Sequence, residues 1–211
     1  MSAVMSRSGN ANSNNEKVNN NGWLILAAIM LPMVSAYFIF KTGIGMPTGT
    51  VNKGELLRPA TSVTALDYVN QDGKKVRPFD GKKLWRMVIV ADDRCDDVCR
   101  QQLYLSRQVH IRLAEKSVRV ERLFLNTGAP LSQDFAEFLK QEHPRLQALQ
   151  IVQSQWRDTF SETSIADHPL NGSHIYYLDQ EGYAMMSYDS EHSGADLLDD
   201  IKRLLKYSYE E

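Results

Sequence analysis

The sequence predicts an α/β domain with an N-terminal β-hairpin, carried behind one transmembrane helix. Three observations lead there. A charge-free run, residues 23–40, stands apart near the N-terminus. Behind it, short β-patterned stretches alternate with amphipathic helical ones. The only two cysteines, Cys95 and Cys99, lie where a strand-like apolar stretch, residues 84–91, gives way to a helix.

The 211 residues carry 24 Lys+Arg against 26 Asp+Glu, a formal net charge of −2, with 43% hydrophobic and 24% charged residues. That balance suits one folded core and excludes collagen, coiled-coil arrays and chain-wide disorder. It also lacks the basic surface that nucleic acid requires, so no nucleic-acid partner is expected. Two cysteines are too few for a multi-bridge framework or a four-cysteine zinc site.

Residues 1–22 hold seven Asn and four Ser and show no apolar period, so a disordered cytoplasmic tail is expected. Residues 23–40, WLILAAIMLPMVSAYFIF, are closed by Lys41. As a helix they would span about 27 Å, close to a ~30 Å hydrocarbon core. Trp23 and Tyr37 sit near the ends, where amphipathic rings favour the interface. Val34-Ser35-Ala36 offers a rival reading as a signal-peptide cleavage site. Because the apolar run continues past it to Phe40, an uncleaved single-span anchor is the expectation. Long domains translocate largely regardless of flanking charge, so a small cytoplasmic tail with an exported C-terminal domain is expected.

Residues 41–60 contain Gly43, Gly45, Pro47, Gly49, Gly54 and Pro59 and read as a linker, with the folded domain at 61–211. VTALDYVNQDGKKVRPF then reads as a β-hairpin turning at Asp72-Gly73. LWRMVIVA, residues 84–91, is apolar apart from Arg86 and suits a central strand buried on both faces. A helix follows the cysteines, VRVERLFLN reads as a second inner strand, and Leu131, Phe135, Phe138 and Leu139 mark another helix. Residues 149–152 suit a short strand. HIYYLD and YAMMSYD form a hairpin across Glu181-Gly182. The last helix puts Leu197, Ile201, Leu204 and Leu205 on one stripe, its acids first and its bases last. This order is that of a thioredoxin-like domain, a fold that hosts several chemistries.

The pair Cys95-Asp96-Asp97-Val98-Cys99 stands at a helix N-terminus, where the partial positive charge favours thiolate over thiol. A thiolate serves both disulfide exchange and soft coordination of Cu(I). An inert clip is the third alternative, though a loop this short restrains the unfolded chain little. Asp92, Asp93, Asp96 and Asp97 oppose thiolate formation and favour a cationic metal. The residues leave all three open.

NQDGKKVRPFDGKKLWRMVIVADDRCDDVC resembles the start of a Sco/SenC-type domain, with its D-G-K hairpin, buried strand and C-x-D-V-C-P pattern. Cys95, Asp97, Val98 and Cys99 match it, and Arg100 stands where that family has proline. Over residues 64–208 the chain is most similar to a single-span proteobacterial group associated with cytochrome c oxidase assembly, through CDDVCRQQLYLSRQV, RVERLFL and HIYYLDQEGYAMMSY. The resemblance implies copper held by Cys95, Cys99 and a histidine just before the late hairpin. In that register stands Asn171. His174, inside the matched HIYYLD, is the expected third ligand, with His168 the alternative. The expected function is copper handling in oxidase assembly, with oxidase subunits or copper-delivery factors as partners. Thiol–disulfide oxidoreduction on periplasmic partner thiols, and an assembly scaffold with a structural disulfide, are the alternatives. His110, His143 and His192 carry no partner signal. Met185 and Met186, adjacent on a strand, face opposite sides and cannot easily converge on one ion.

Overall fold

A computed structural model describes residues 22–43, 51–166 and 172–208. The expected tail therefore lies, but for Gly22, outside the described residues, as does His168. The chain divides into two units, Met1–Thr50 and Val51–Glu211.

In the first unit, α1 (Gly22–Thr42) is the one helix among the described residues long and apolar enough to cross a membrane. It overruns the expected span by one residue at the front and two at the back, and it continues through Pro32.

The second unit is built on an eight-stranded mixed sheet. Its strands are β1 (Glu55–Ser62), β2 (Tyr68–Asn70), β3 (Lys75–Val76), β4 (Trp85–Ala91), β5 (Val120–Asn126), β6 (Leu146–Gln150), β7 (His174–Leu178) and β8 (Tyr183–Tyr188). Across the sheet they run β1-β8-β7-β4-β5-β6-β2-β3. β4, β5 and β6 are parallel, with Val88 beside Leu123 and Leu123 beside Gln147. β7 runs antiparallel to β4, placing His174 opposite Val90. The carboxyl ends of the three parallel strands and the start of β7 thus meet at one end of the sheet. In open α/β sheets that end is where sites form.

β4 is buried at every position, as its nearly continuous apolar run requires. Arg86 is no exception. Its guanidinium donates to Glu121 (3.1 Å) and to the carbonyls of Leu84 and Pro78 (both 3.0 Å), and it lies over the Phe79 ring. The period of two splits the core cleanly. Met87, Ile89, Phe124, Ile175 and Tyr177 pack with Leu103, Phe135 and Ile201 on one face. Val88, Val90, Leu123, Leu125 and Tyr176 pack with Trp156 and Phe160 on the other.

The helices are α2 (Asp97–Arg112), α3 (Gln133–Glu142), α4 (Gln153–Thr159) and α5 (Gly194–Tyr207). Ser193 caps α5 in a reciprocal box with Asp196, and the predicted leucine stripe is its buried face.

Three expectations need correction, and one helix was not anticipated. The linker does not reach Ala60, because β1 occupies Glu55–Ser62 and pairs with β8. β6 begins at Leu146 rather than at residue 149. α4 has no counterpart in the sequence reading. The helix expected after the cysteines over residues 100–116 instead runs from Asp97 to Arg112 and is followed by a separate 3-10 turn, Ala114–Arg119.

Candidate active site at the cysteine pair

Three carboxylates shape the loop between β4 and α2. Asp92 Oδ1 accepts from the backbone N–H groups of Arg94 (3.1 Å) and Cys95 (3.3 Å), while its Oδ2 takes the Arg94 guanidinium at 2.8 Å. The Arg94 hydrogen bond is the main reason that the Asp92 carboxyl is held below its ordinary range. Asp93 accepts from Ala129 N–H at 3.0 Å. A side chain at Gly128 would collide with that carboxylate, which accounts for the glycine. Asp96 is the N-cap of α2 and accepts from Cys99 N–H at 3.0 Å. Three of the four acids that argued against a thiolate, Asp92, Asp93 and Asp96, are thus engaged in holding backbone.

Cys95 follows this turn with φ of 41°, in the left-handed region that favours glycine. Cys99 sits in the first turn of α2. The two are joined as a disulfide, with Cα atoms 5.1 Å apart, and each is 1% exposed. Beside them is a cavity of about 320 Å³, walled by Asp92, Arg94, Asp96, Cys99, Thr127 and Ser173. Gln102, one turn beyond Cys99, donates to the Ser173 carbonyl at 2.8 Å, and the Ser173 hydroxyl bonds the Gln102 side-chain oxygen. A larger groove of about 850 Å³ lies between α3 and β6 and contains neither cysteine.

His174 starts β7 at this same end of the sheet and is buried. Strand alternation sets it with Tyr176 and Leu178, whereas the cysteines share the opposite cluster with Ile175 and Tyr177. Among the described residues, no three His, Cys, Asp or Glu side chains form a group able to hold a metal ion. The third ligand expected at His174 is therefore not assembled with the cysteine pair in this disulfide-bonded state.

The remaining candidates are structural. His110 meets the Val120 carbonyl at 2.9 Å. His143 is pushed down to about 4, by burial and then by the Arg122 and Arg107 cations. His192 bridges Asp189 (2.7 Å) and the Lys53 carbonyl (3.1 Å). Met186 is core and Met185 half-buried. Arg100, in the place of the resembling family's proline, extends over the Phe138 ring at 5.1 Å. Sequence reasoning missed Gln102, Thr127 and Ser173. Only Gln102 left a trace, as a polar residue on the buried face of α2.

The family model for the "transmembrane-like, thioredoxin-like, C-terminal domain" matches residues 85–208, from β4 to the end of α5. The chain belongs to that family. Among curated proteins nothing matches it. Solved structures share the fold. The chain is similar to yeast Sco1 with copper bound (16% identity, TM-score 0.53, 76% of this chain and 97% of that one). It is similar to BsSco, described with a disulfide switch and as a member of the Sco family of cytochrome c oxidase assembly proteins (15%, 0.53, 75% and 99%). A thiol:disulfide interchange protein from Bacteroides sp. is a third (16%, 0.51, 72% and 92%). At these identities the likeness is one of fold, and it includes the Sco/SenC type that the sequence resembles. The matched stretch, residues 85–208, contains the β4–α2 junction that carries Cys95 and Cys99.

Proposed function

We propose that this protein is a membrane-anchored thiol–disulfide exchange protein acting in cytochrome c oxidase assembly. The carrying observation is the Cys95–Cys99 disulfide at a strand-to-helix junction, next to a polar cavity. A partner thiolate attacks one sulfur and forms a mixed disulfide, while the other sulfur leaves as thiolate. The partner's second thiol then closes the partner disulfide and frees the Cys95/Cys99 dithiol. Two electrons and two protons move to this protein, and the reverse sequence reduces a partner disulfide. The α2 N-terminus stabilises the thiolate that departs. Helix α1 holds the domain at the inner membrane, with the domain in the periplasm.

The test is alkylation of the full chain in detergent after equilibration across a thiol/disulfide redox series. A reversible shift of two labels in the native fold is expected. Labelling only in denaturant would reduce the pair to a structural clip and leave the scaffold reading.

Copper handling is the second reading, favoured by the copper bound to yeast Sco1. Copper is then cargo, taken by the reduced Cys95 and Cys99 thiolates as soft ligands. A third donor requires movement of His174 toward the pair, or His168. Anaerobic Cu(I) titration of reduced His174→Ala decides this, since a loss of about ten-fold in affinity marks a ligand.

A further inference from the structure

We propose that the trough between α3 and the β2–β3 hairpin binds an extended segment of a partner protein, seating a carboxylate of that segment between His143 and Lys140. The site is separate from the disulfide, since neither cysteine borders the trough.

The charge argument begins at Arg122, which is 2% exposed on β5. Its Nη2 donates to the Leu103 carbonyl (3.1 Å) and the Ser106 hydroxyl (2.8 Å), and its Nε finds no partner. Among the described residues no carboxylate pairs with it, and the charge that bears on it is that of Arg107, another cation. A buried cation without a counter-charge is costly, so an anion brought from outside is favoured beside it.

His143 relays that charge to the trough. Its Nδ1 faces Arg122 Nη2 at 3.5 Å, and a guanidinium can only donate. The neutral imidazole therefore carries its proton on Nε2, at the ring edge turned away from Arg122, and the ring forms part of the trough wall. Lys140, exposed and one turn earlier on α3, stands beside it. Asp72 and Glu137 also border the trough, and Glu142 is paired with Arg107. Asp72 and Glu137 are exposed, and Glu137 accepts from the Gln141 amide at 3.1 Å. Water and salt screen these exposed acids far more than they screen buried Arg122.

Shape favours a chain over a lone anion. The trough of about 850 Å³ adjoins a second cavity of about 270 Å³, with Ala136 and Ala148 common to both. These two small side chains let a backbone approach closely. Gln71, Gln133 and Gln147, all exposed on the trough, each offer a donor and an acceptor, as peptide groups require. Leu131 and Leu149 line the second cavity, where an apolar side chain fits. Asn126, at the end of β5, borders it too, so the bound segment runs toward the disulfide end of the sheet. A partner held there presents its other groups at raised effective concentration.

The experiment titrates three peptides into the full chain in detergent, with histidine 15N-labelled. They are acetyl-Leu-Ala-Ala-Ala with a free carboxylate, acetyl-Leu-Ala-Asp-Ala carboxamide and acetyl-Leu-Ala-Asn-Ala carboxamide. The free protein should show His143 protonated on Nε2. A saturable shift of that nitrogen is expected, with a Kd of about 1 mM and about ten-fold tighter binding of a carboxylate peptide than of the Asn peptide. The better of the two carboxylate peptides tells a chain end from an acidic side chain. Lys140→Glu should cost the same ten-fold with the melting temperature unchanged, and Ala136→Met, which fills the junction of the cavities, should abolish binding. Equal affinity for all three peptides, binding that survives Ala136→Met, a proton on Nδ1, or no saturation by about 20 mM overturns the proposal and leaves the exchange reading untouched.

Discussion

Gln102 and Ser173, 71 residues apart, hold each other through two hydrogen bonds, side-chain amide to carbonyl and hydroxyl to side-chain oxygen. Both residues are buried, so this pair is the polar link between the cysteine helix and the strand that begins at His174. Four expected outcomes follow from this and similar contacts.

Gln102→Leu keeps the volume and removes both bonds, leaving the Ser173 carbonyl and hydroxyl buried without their partner. A loss of about 2 kcal/mol is expected. Thermal unfolding of the oxidised chain in detergent checks it, and Gln102→Glu should recover part of the loss by accepting from Ser173.

Reduction of Cys95–Cys99 should lower stability by about 2 kcal/mol, the loop-entropy contribution of so short a ring. The domain stays folded, because the core rests on a sheet packed on both faces. Unfolding with and without reductant measures the difference. Collapse of the fold on reduction would contradict a pair that opens in function.

Asp200 clamps the start of the folded unit to α5. Its Oδ2 accepts from Lys53 N–H (2.8 Å), Gly54 N–H (3.0 Å) and the Tyr188 hydroxyl (3.0 Å). Asp200→Ala strands all three donors, with an expected cost of about 3 kcal/mol. Hydrogen exchange at Lys53 and Gly54 should accelerate before global unfolding. Unchanged protection there would show that the clamp does not hold this segment.

His143 makes stability fall in mild acid. It is buried, stacks edge-on with Phe138, and titrates at about 4 instead of its usual 6.5. Between those values the unfolded chain binds a proton that the folded chain refuses, so stability declines as pH falls from about 6.5 to about 4. The full contribution is about 3 kcal/mol. His143→Phe should flatten the slope in that window, as read from unfolding midpoints against pH.

The parts legible in the sequence are those encoded within a few neighbouring residues. LWRMVIVA, apolar but for Arg86, announced a doubly covered strand, Asp72-Gly73 announced a turn, and the α5 stripe and its acid-to-base gradient announced a docked helix. Each signal is a local period or a backbone preference, read without knowing what lies opposite. The cysteine pair was legible for the same reason, since four residues of separation suffice to suggest a bond.

The remainder was decided by contacts between distant segments. ELLRPATS has no strong period and became β1 because it pairs with β8, more than a hundred residues later. Pairing supplies what propensity lacks, since β preference depends mostly on context. His174 was legible as a candidate only through the resemblance, inside the matched HIYYLD, because it stands 75 residues beyond Cys99. Alternation puts it on the face of Tyr176 in any register. Which of the two cores that face meets depends on where β7 enters the sheet, and a shift of one residue would turn it to the side of the cysteines. Cys95 and Cys99 look equivalent in the sequence. The fold separates them. Cys95 takes a left-handed backbone before α2, while Cys99 lies in the first turn of that helix. Cys99 also borders the cavity that Thr127, after β5, and Ser173, before β7, help to enclose, because segments distant in the chain meet there.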